Sequence, residues 1–176
     1  MQIQYIKIGK NPDAINAIIE IPYGSHVKYE VDKDSGAVVV DRVLYPSMVY
    51  PANYGFVPHT LGGDGDPADI LVLNEDPLQA GSVIKCRLIG VLFMEDEGGV
   101  DEKLLALPVE KIDPRYAKIQ SLEDLPPITL EKIKHFFETY KDLEKDKWVK
   151  VKGFGNKAQA QEVLEQAIDH CQKSKK

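Results

Sequence analysis

The spacing of apolar residues changes once along this chain, near Thr129, and this change constrains the fold more than any other feature. Before Thr129, short β-branched runs alternate with glycine- and proline-bearing loops, a pattern typical of strands. The cluster at 32–36 contains the turn-forming residues of a hairpin. The predicted strands are Ile15–Ile21, Val27–Val31, Ala37–Val43, Ile70–Leu73, Val83–Met94 and Leu104–Leu107.

After this point the apolar residues recur every three or four positions, which predicts helices. The first helix would begin at Thr129 as N-cap and place Leu130, Ile133, Phe137, Tyr140 and Leu143 on its apolar face. A strand over Trp148–Val151 and a second helix over Lys157–Cys171, capped by Asn156, would follow. Strands followed by two helices predict a β-rich α+β fold, a closed or nearly closed small barrel with helices packed outside.

Composition and net charge limit the classes of protein to which this chain can belong. With 43% hydrophobic residues the chain can bury one sizeable core, and we expect a single domain over residues 1–176. No apolar run approaches a membrane span, and the opening residues lack a secretory leader, so we expect a cytoplasmic protein without a membrane partner. The two cysteines, Cys86 and Cys171, are expected to be free thiols. A net charge of −6 opposes nucleic-acid binding.

Two acidic loops carry the functional signal. The first is Asp64-Gly65-Asp66-Pro67-Ala68-Asp69, and the second runs from Glu95 to Lys103 around a glycine turn. Oxygen ligands select hard cations such as magnesium or manganese, and the four scattered histidines do not form a zinc motif. An EF-hand is excluded because Asp69 stands where its loop needs glycine. The loops therefore predict a site for two or more hard divalent cations.

Four cationic residues lie in segments that also carry acidic or tyrosine side chains. They are Lys28, Arg42, Lys103 and Lys141. Converging carboxylates repel one another and need cations to offset their charge, and the loaded site would then attract an anion. Lysine and arginine could hold the outer oxygens of a phosphate, arginine with two parallel hydrogen bonds. A site that contains both the carboxylates and the cationic side chains suits a metal–polyphosphate complex and hydrolysis of a small phosphoanhydride.

The order and spacing of these blocks resemble the soluble inorganic pyrophosphatases of the small bacterial type. The matching blocks include Lys28-Tyr29-Glu30, Asp41-Arg42, Tyr50 to Gly55, Asp64 to Asp69, Asp96 to Lys103 and His135 to Glu144. The resemblance implies a five-stranded OB-like barrel and an inorganic diphosphatase that splits pyrophosphate into two orthophosphates. It implies direct in-line attack by a metal-activated water or hydroxide, several Mg2+ ions with Mn2+ or Zn2+ as substitutes, no phosphoenzyme, and a homohexamer.

The resemblance also implies roles for individual residues. Asp66 would be the general base, with Lys28, Arg42 and Tyr54 completing the catalytic set. The metal ligands would be Asp64, Asp69, Asp96 and Asp101. The substrate-binding residues would be Lys28, Arg42, Tyr54, Lys103, Tyr140 and Lys141, and the supporting residues Glu20, Glu30 and Tyr50. The chain departs from the family at Thr139, where a histidine is often found, and this bears on the stability and pH dependence of the hexamer.

Three rival functions compete with this prediction. An oligonucleotide-binding barrel would use a basic groove and stacked aromatic residues, which two acidic loops oppose. A sugar-nucleotide transferase with a D-x-D site would need a larger nucleotide-binding domain. A catalytically dead structural subunit would have lost some of the matched acids and bases, and all of them are present.

Overall fold

The computed structural model describes residues 3–174. The prediction that the chain lacks a secretory leader concerns its opening residues, and Met1 and Gln2 lie outside the described residues. The helices are α1 (Pro127–Thr139) and α2 (Lys157–Ser174). The strands are β1 (Gly9–Lys10), β2 (Ala14–Ile21), β3 (Val27–Val31), β4 (Val38–Val43), β5 (Asn53–Phe56), β6 (Asp69–Val72), β7 (Val83–Asp96), β8 (Gly99–Val100), β9 (Lys103–Pro108) and β10 (Val149–Asn156).

Five strands close into a ring. They follow one another in the order β2, β5, β6, β9 and β7, and β7 pairs again with β2. Neighbours in the ring are antiparallel except β6 and β9, which are parallel. Strand β10 extends the sheet beyond β7, and β3 and β4 form a separate two-stranded hairpin. The predicted β-rich α+β fold with a five-stranded OB-like barrel is confirmed.

The strands of the ring are buried on both faces. Ile70, Leu71 and Val72 are all buried, and they contribute alternately to two hydrophobic clusters. One cluster includes Ile133 and Phe137 of α1, and the other includes buried residues of α2. Because each face meets a helix, these strands are continuous apolar runs and do not alternate with polar residues.

Helix α1 differs from its prediction at both ends. It begins at Pro127, not Thr129, and Thr129 lies inside the first turn, so the predicted cap is wrong. Proline suits this position because the first helical N–H groups need no intrahelical acceptor. The helix ends at Thr139, and Leu143 lies beyond it with 65% of its surface exposed, so its predicted core position is also wrong.

Helix α2 begins where it was predicted. The Asn156 side chain accepts a hydrogen bond from the Gln159 N–H at 3.0 Å, and the Gln159 side chain accepts one from the Asn156 N–H at 3.0 Å. This reciprocal pair satisfies two N–H groups at the start of the helix. Ala160, Leu164 and Cys171 lie on its buried face, and the predicted cap is confirmed.

The cysteines are free, as expected, and both are buried. No helix among residues 3–174 is long and apolar enough to cross a membrane.

Candidate active site

A polar cleft of about 410 Å³ opens at one edge of the barrel. Strands β6 and β9 begin at this edge and β7 ends there, while the β3–β4 hairpin and the segment after α1 supply the remaining walls. The acidic side chains that line it are Glu20, Glu30, Asp64, Asp66, Asp69, Asp96, Glu97 and Asp101. The cationic ones are Lys28, Lys33, Arg42, Lys103, Lys141 and Lys147.

Lys103 lies at the floor of the cleft, with only 3% of its surface exposed. The parallel register of β6 and β9 pairs Asp69 with Lys103, because each is the first residue of its strand. The Lys103 ammonium donates to Asp69 at 2.5 Å and also to Asp101. Burial alone would lower the pKa of Lys103, but the two carboxylates outweigh it and raise the pKa above its ordinary value. Lys103 therefore stays charged.

One ammonium group does not neutralise all the acids around it. Burial raises the pKa of Asp101 to about 6, since Lys103 offsets this only in part and Asp69 adds to it. Burial likewise raises the pKa of Glu20 to about 7, against the hydrogen bond that Glu20 accepts from the Val31 N–H at 2.8 Å. Burial therefore favours the neutral form of both carboxyl groups when no cation is bound.

The first acidic loop presents Asp66 to solvent. Gly65 adopts a φ of +91°, a conformation that favours glycine, and the Asp64 side chain accepts a hydrogen bond from the Asp66 N–H at 3.0 Å. The Asp66 side chain is 72% exposed and pairs with Lys33 of the hairpin at 2.8 Å. Asp66 is therefore held by the loop backbone but remains accessible, unlike Asp69 and Asp101.

A second group of charges lies at the end of β7. Lys141, just after α1, donates to Asp96 at 2.7 Å and lies 3.3 Å from Glu97, and Lys147 donates to Glu97 at 2.5 Å. Partial burial raises the pKa of Glu97, but the hydrogen bonds from Lys147 and Lys141 outweigh it and lower the pKa to about 2. Two lysines therefore lie side by side at this wall.

The β3–β4 hairpin brings a second pair of cations to the cleft. Its register places Lys28 opposite Arg42. Lys28 contacts Glu30 at 2.6 Å and Asp41 at 3.2 Å, and Arg42 contacts Asp41 at 3.1 Å. The hairpin thus faces the floor of the cleft with two cations partly balanced by acids of its own.

Aromatic residues close the cleft. Burial raises the pKa values of Tyr54 and Tyr140 well above their ordinary value, with further contributions from nearby aspartates, so both hydroxyls remain protonated donors. Tyr50, predicted as a supporting residue, does not line the cleft. Tyr50 is buried one layer behind, against Tyr54 and Phe136 at ring-centroid distances of 5.7 and 4.8 Å.

The donor set fits a hard divalent cation. The acidic side chains offer only oxygen ligands, and a bound cation would favour the charged forms of Asp101 and Glu20, which burial disfavours. Within the described part of the chain, no three acidic, histidine or cysteine side chains already form a metal-binding group. Lys103 lies between Asp69 and Asp101 and Lys141 contacts Asp96, so the lysines hold these acids near one another.

The cleft contains every predicted site residue except Tyr50. It also contains residues that the sequence analysis did not assign to the site: Lys33, Phe56, Glu97 and Lys147. Glu97 follows the predicted ligand Asp96 directly, and Lys147 lies in a lysine-rich stretch after the first helix. Neither stood out, because charged residues of this kind are common on exposed loops.

Comparisons with known proteins agree with this geometry. The family model for inorganic pyrophosphatases matches residues 17–172. The inorganic pyrophosphatase of Campylobacter jejuni is 64% identical over 168 residues, covering 96% of this chain and 98% of that protein. A solved structure of the Helicobacter pylori inorganic pyrophosphatase superposes with a TM-score of 0.93 at 60% identity, covering 96% and 99% of the two chains. That of Thermus thermophilus gives a TM-score of 0.92 at 43% identity, covering 98% and 99%.

Proposed function

This chain belongs to the bacterial inorganic pyrophosphatases and is an enzyme that hydrolyses pyrophosphate, and from this premise we propose how its cleft performs the reaction. The observation that carries the proposal is the distribution of charge. Acids cluster on the barrel edge, and cations reach the cleft both from the hairpin, Lys28 and Arg42, and from the segment after α1, Lys141 and Lys147. A substrate with two linked phosphates would meet cations at both ends.

Asp64, Asp69, Asp96 and Asp101 would hold Mg2+, with Mn2+ or Zn2+ as substitutes. When bound, such an ion lowers the pKa of a coordinated water and offsets charge on phosphate oxygens. Glu20 and Glu30 would add to the negative charge that attracts it. Lys103 fixes the positions of Asp69 and Asp101, because its ammonium donates to both.

Asp66 would accept a proton from the attacking water. It suits this role better than Asp69 because its carboxylate is largely exposed and its partner, Lys33, comes from the hairpin outside the barrel, and better than Asp64 because the Asp64 carboxylate already accepts a hydrogen bond from the Asp66 N–H. An exposed ion pair of this kind contributes only about 0–1 kcal/mol, so it opens at little cost when substrate enters. Asp69, in contrast, is tied to the buried Lys103.

The phosphates would be held by Lys28 and Arg42 on one wall and by Lys141 and Tyr140 on another, with Lys103 and Tyr54 at the floor. The tyrosines would donate hydrogen bonds, since their hydroxyls stay protonated. These donors oppose the charge that spreads over the phosphate oxygens as the bridging bond breaks. Tyr50 would support Tyr54 from behind.

We assign the attack to water directly, without a phosphoenzyme. Among the described residues that line the cleft there is no serine, threonine, cysteine or histidine, so a phosphoenzyme would have to form on a carboxylate, and we assign the carboxylates to cation binding and proton transfer instead. Acid-quenched turnover of ³²P-labelled pyrophosphate with excess Mg2+ should leave no label on the protein while labelled phosphate accumulates. Label that appears on the protein within one turnover and disappears at the rate of phosphate release would refute direct attack.

We further propose a cytoplasmic homohexamer. Two free, buried thiols suit a reducing compartment. The side chains of Val40 on β4 and of Tyr45 and Val49 after it are mostly exposed, and exposed apolar side chains suit contact with further copies. Sedimentation velocity should give a particle of six 19.7 kDa chains, and a monomer at micromolar concentration would refute this assembly.

A further inference from the structure

Glu144 contacts Arg42 from outside the residues assigned to the site. It lies in the turn after α1, whereas Arg42 lies on β4 of the hairpin. The Glu144 carboxylate Oε1 is 3.2 Å from Arg42 Nε, and the two side chains are only 11% and 27% exposed. Both of these atoms are shielded from solvent, and neither makes a hydrogen bond to any described residue. The ion pair is therefore the polar contact that each of them has.

The contact fixes one edge of the guanidinium group. The Asp41 carboxylate accepts a hydrogen bond from Arg42 Nη1 at 3.1 Å, and the Glu144 carboxylate contacts Arg42 Nε. Arg42 Nη2 makes no hydrogen bond to the described part of the chain. Because the guanidinium is planar, two fixed edges determine where the third nitrogen points. Arg42 lines the cleft. The third nitrogen thus remains free to bind a phosphate oxygen there.

A buried carboxylate at this position needs an explanation. Taking a charge out of water is costly, and a buried ion pair is weak support for stability because that cost offsets the attraction between the charges. An apolar side chain could join the hairpin to the α1 turn equally well. Packing alone does not account for a carboxylate at this place. A need to orient Arg42, which must bind substrate, does account for it.

We propose that Glu144 is a positioning residue for pyrophosphate hydrolysis, which holds Arg42 through Nε so that the guanidinium meets the substrate phosphate. The inference rests on the proposed role of Arg42 in phosphate binding. Lysine at position 42 would keep the charge but has no Nε, so Glu144 would have nothing to position. The effects of Glu144→Gln and Arg42→Lys therefore cannot be independent.

The test is a double-mutant cycle in steady-state kinetics with magnesium pyrophosphate. Wild type, Glu144→Gln, Arg42→Lys and the double variant are compared, with thermal melting of each. Glu138→Gln is the matched control, since Glu138 is an exposed glutamate on α1 that pairs with Lys134 at 3.7 Å. Glutamine keeps the shape of Glu144 and removes its charge.

We expect Glu144→Gln to raise KM about tenfold or more with a smaller change in kcat, since losing one oriented hydrogen bond between charged groups corresponds to roughly a factor of ten or more. The double variant should be no worse than Arg42→Lys alone. Glu138→Gln should match wild type. Should Glu144→Gln fail to fold, Glu144→Asp, which keeps the charge but shortens the reach, should show the same rise in KM.

Three results would overturn the inference. The first is an unchanged KM in a folded Glu144 variant. If such a variant only melts at a lower temperature, Glu144 serves stability and does not position Arg42. The second is effects of Glu144→Gln and Arg42→Lys that multiply. The third is a wild-type protein that does not hydrolyse pyrophosphate, which would refute the proposed function as well and is recognised before any variant is compared.

Discussion

Asp66 differs from Asp69, Asp96 and Asp101 in being exposed and free of the buried lysines, whereas Asp64 is also exposed but accepts a hydrogen bond from the Asp66 N–H. Asp69 and Asp101 share Lys103, and Asp96 contacts Lys141, so each has a lysine partner within the barrel edge. Among residues 3–174, the one ion pair of Asp66 is the exposed one with Lys33 of the hairpin. This difference in surroundings separates a residue suited to proton transfer from residues suited to holding a cation.

Replacing Asp66 by asparagine should lower kcat by roughly a hundredfold or more, the usual contribution of a general base, while Mg2+ and pyrophosphate still bind. Asparagine cannot accept the proton, but it keeps the shape of the side chain. Stopped-flow kinetics and calorimetric Mg2+ titration would separate the two effects. Asp169→Asn, an exposed position on α2, is the control. Unchanged kcat in Asp66→Asn would remove Asp66 as the base.

Glu20 should make the stability of the metal-free protein depend on pH. Its pKa rises from the ordinary 4.5 to about 7 in the fold, chiefly through burial and also through Asp69 and Glu30. Between these values the folded state binds a proton that the unfolded state has lost, so the free energy of unfolding falls as pH rises, by at most about 1.4 kcal/mol per pH unit. The contribution is fully present below the unfolded pKa.

Glu20→Gln should abolish this dependence, because glutamine keeps the acceptor for the Val31 N–H and does not titrate. Urea unfolding in EDTA at several pH values measures it. The variant's advantage in unfolding free energy over wild type should grow as pH rises from about 4.5 to about 7 and then stay constant. A difference between the two proteins that does not change with pH would contradict the raised pKa.

Strand β5 is the element whose pairing depends most on one residue. Gly55 lies against β2, and a Cβ at this position would be 1.9 Å from the Ile18 carbonyl oxygen. The backbones of β2 and β5 can approach this closely only where no side chain intervenes. Because β5 joins β2 to β6 in the ring, closure of the barrel depends on this glycine.

Gly55→Ala should therefore destabilise the protein by roughly 3 kcal/mol or more, a cost in the range of severe steric and backbone changes. The measurement is the urea midpoint together with circular dichroism. Gly63→Ala is the matched control, since a Cβ there would meet only the Val100 carbonyl oxygen at an ordinary 3.7 Å. Equal urea midpoints for Gly55→Ala and wild type would mean that β2 and β5 can move apart without loss of stability.

At the scale of the whole molecule, the sequence predicted most of the architecture because both hydrophobic periods were clear. The run Ile70–Leu73 and the stripe of α2 are strong local signals, and each became a buried element. Strand β5 was missed because Asn53 to Phe56 has no β-branched residue and is stabilised by its neighbours in the ring. The first helix ended early because the segment from Tyr140 to Lys147 turns back to bring Lys141 and Lys147 to the cleft.

The cleft was predicted less by local pattern than by the order of its blocks. Lys103 and Asp69 lie more than thirty residues apart, and only the parallel pairing of β6 with β9 brings them together. Lys33 and Glu144 could not be recognised from sequence, since each is an ordinary charged residue until the hairpin folds over the barrel edge. Long-range pairing of this kind leaves no local signature.

The central claim is that this cleft hydrolyses pyrophosphate with the help of a hard divalent cation. Phosphate release from pyrophosphate by the purified wild-type chain, with excess Mg2+ and in parallel with EDTA, tests it most directly, with ATP as the competing substrate. We predict rapid release from pyrophosphate that EDTA abolishes and little release from ATP. No release from pyrophosphate with Mg2+, Mn2+ or Zn2+, or equal release with EDTA, would contradict the claim.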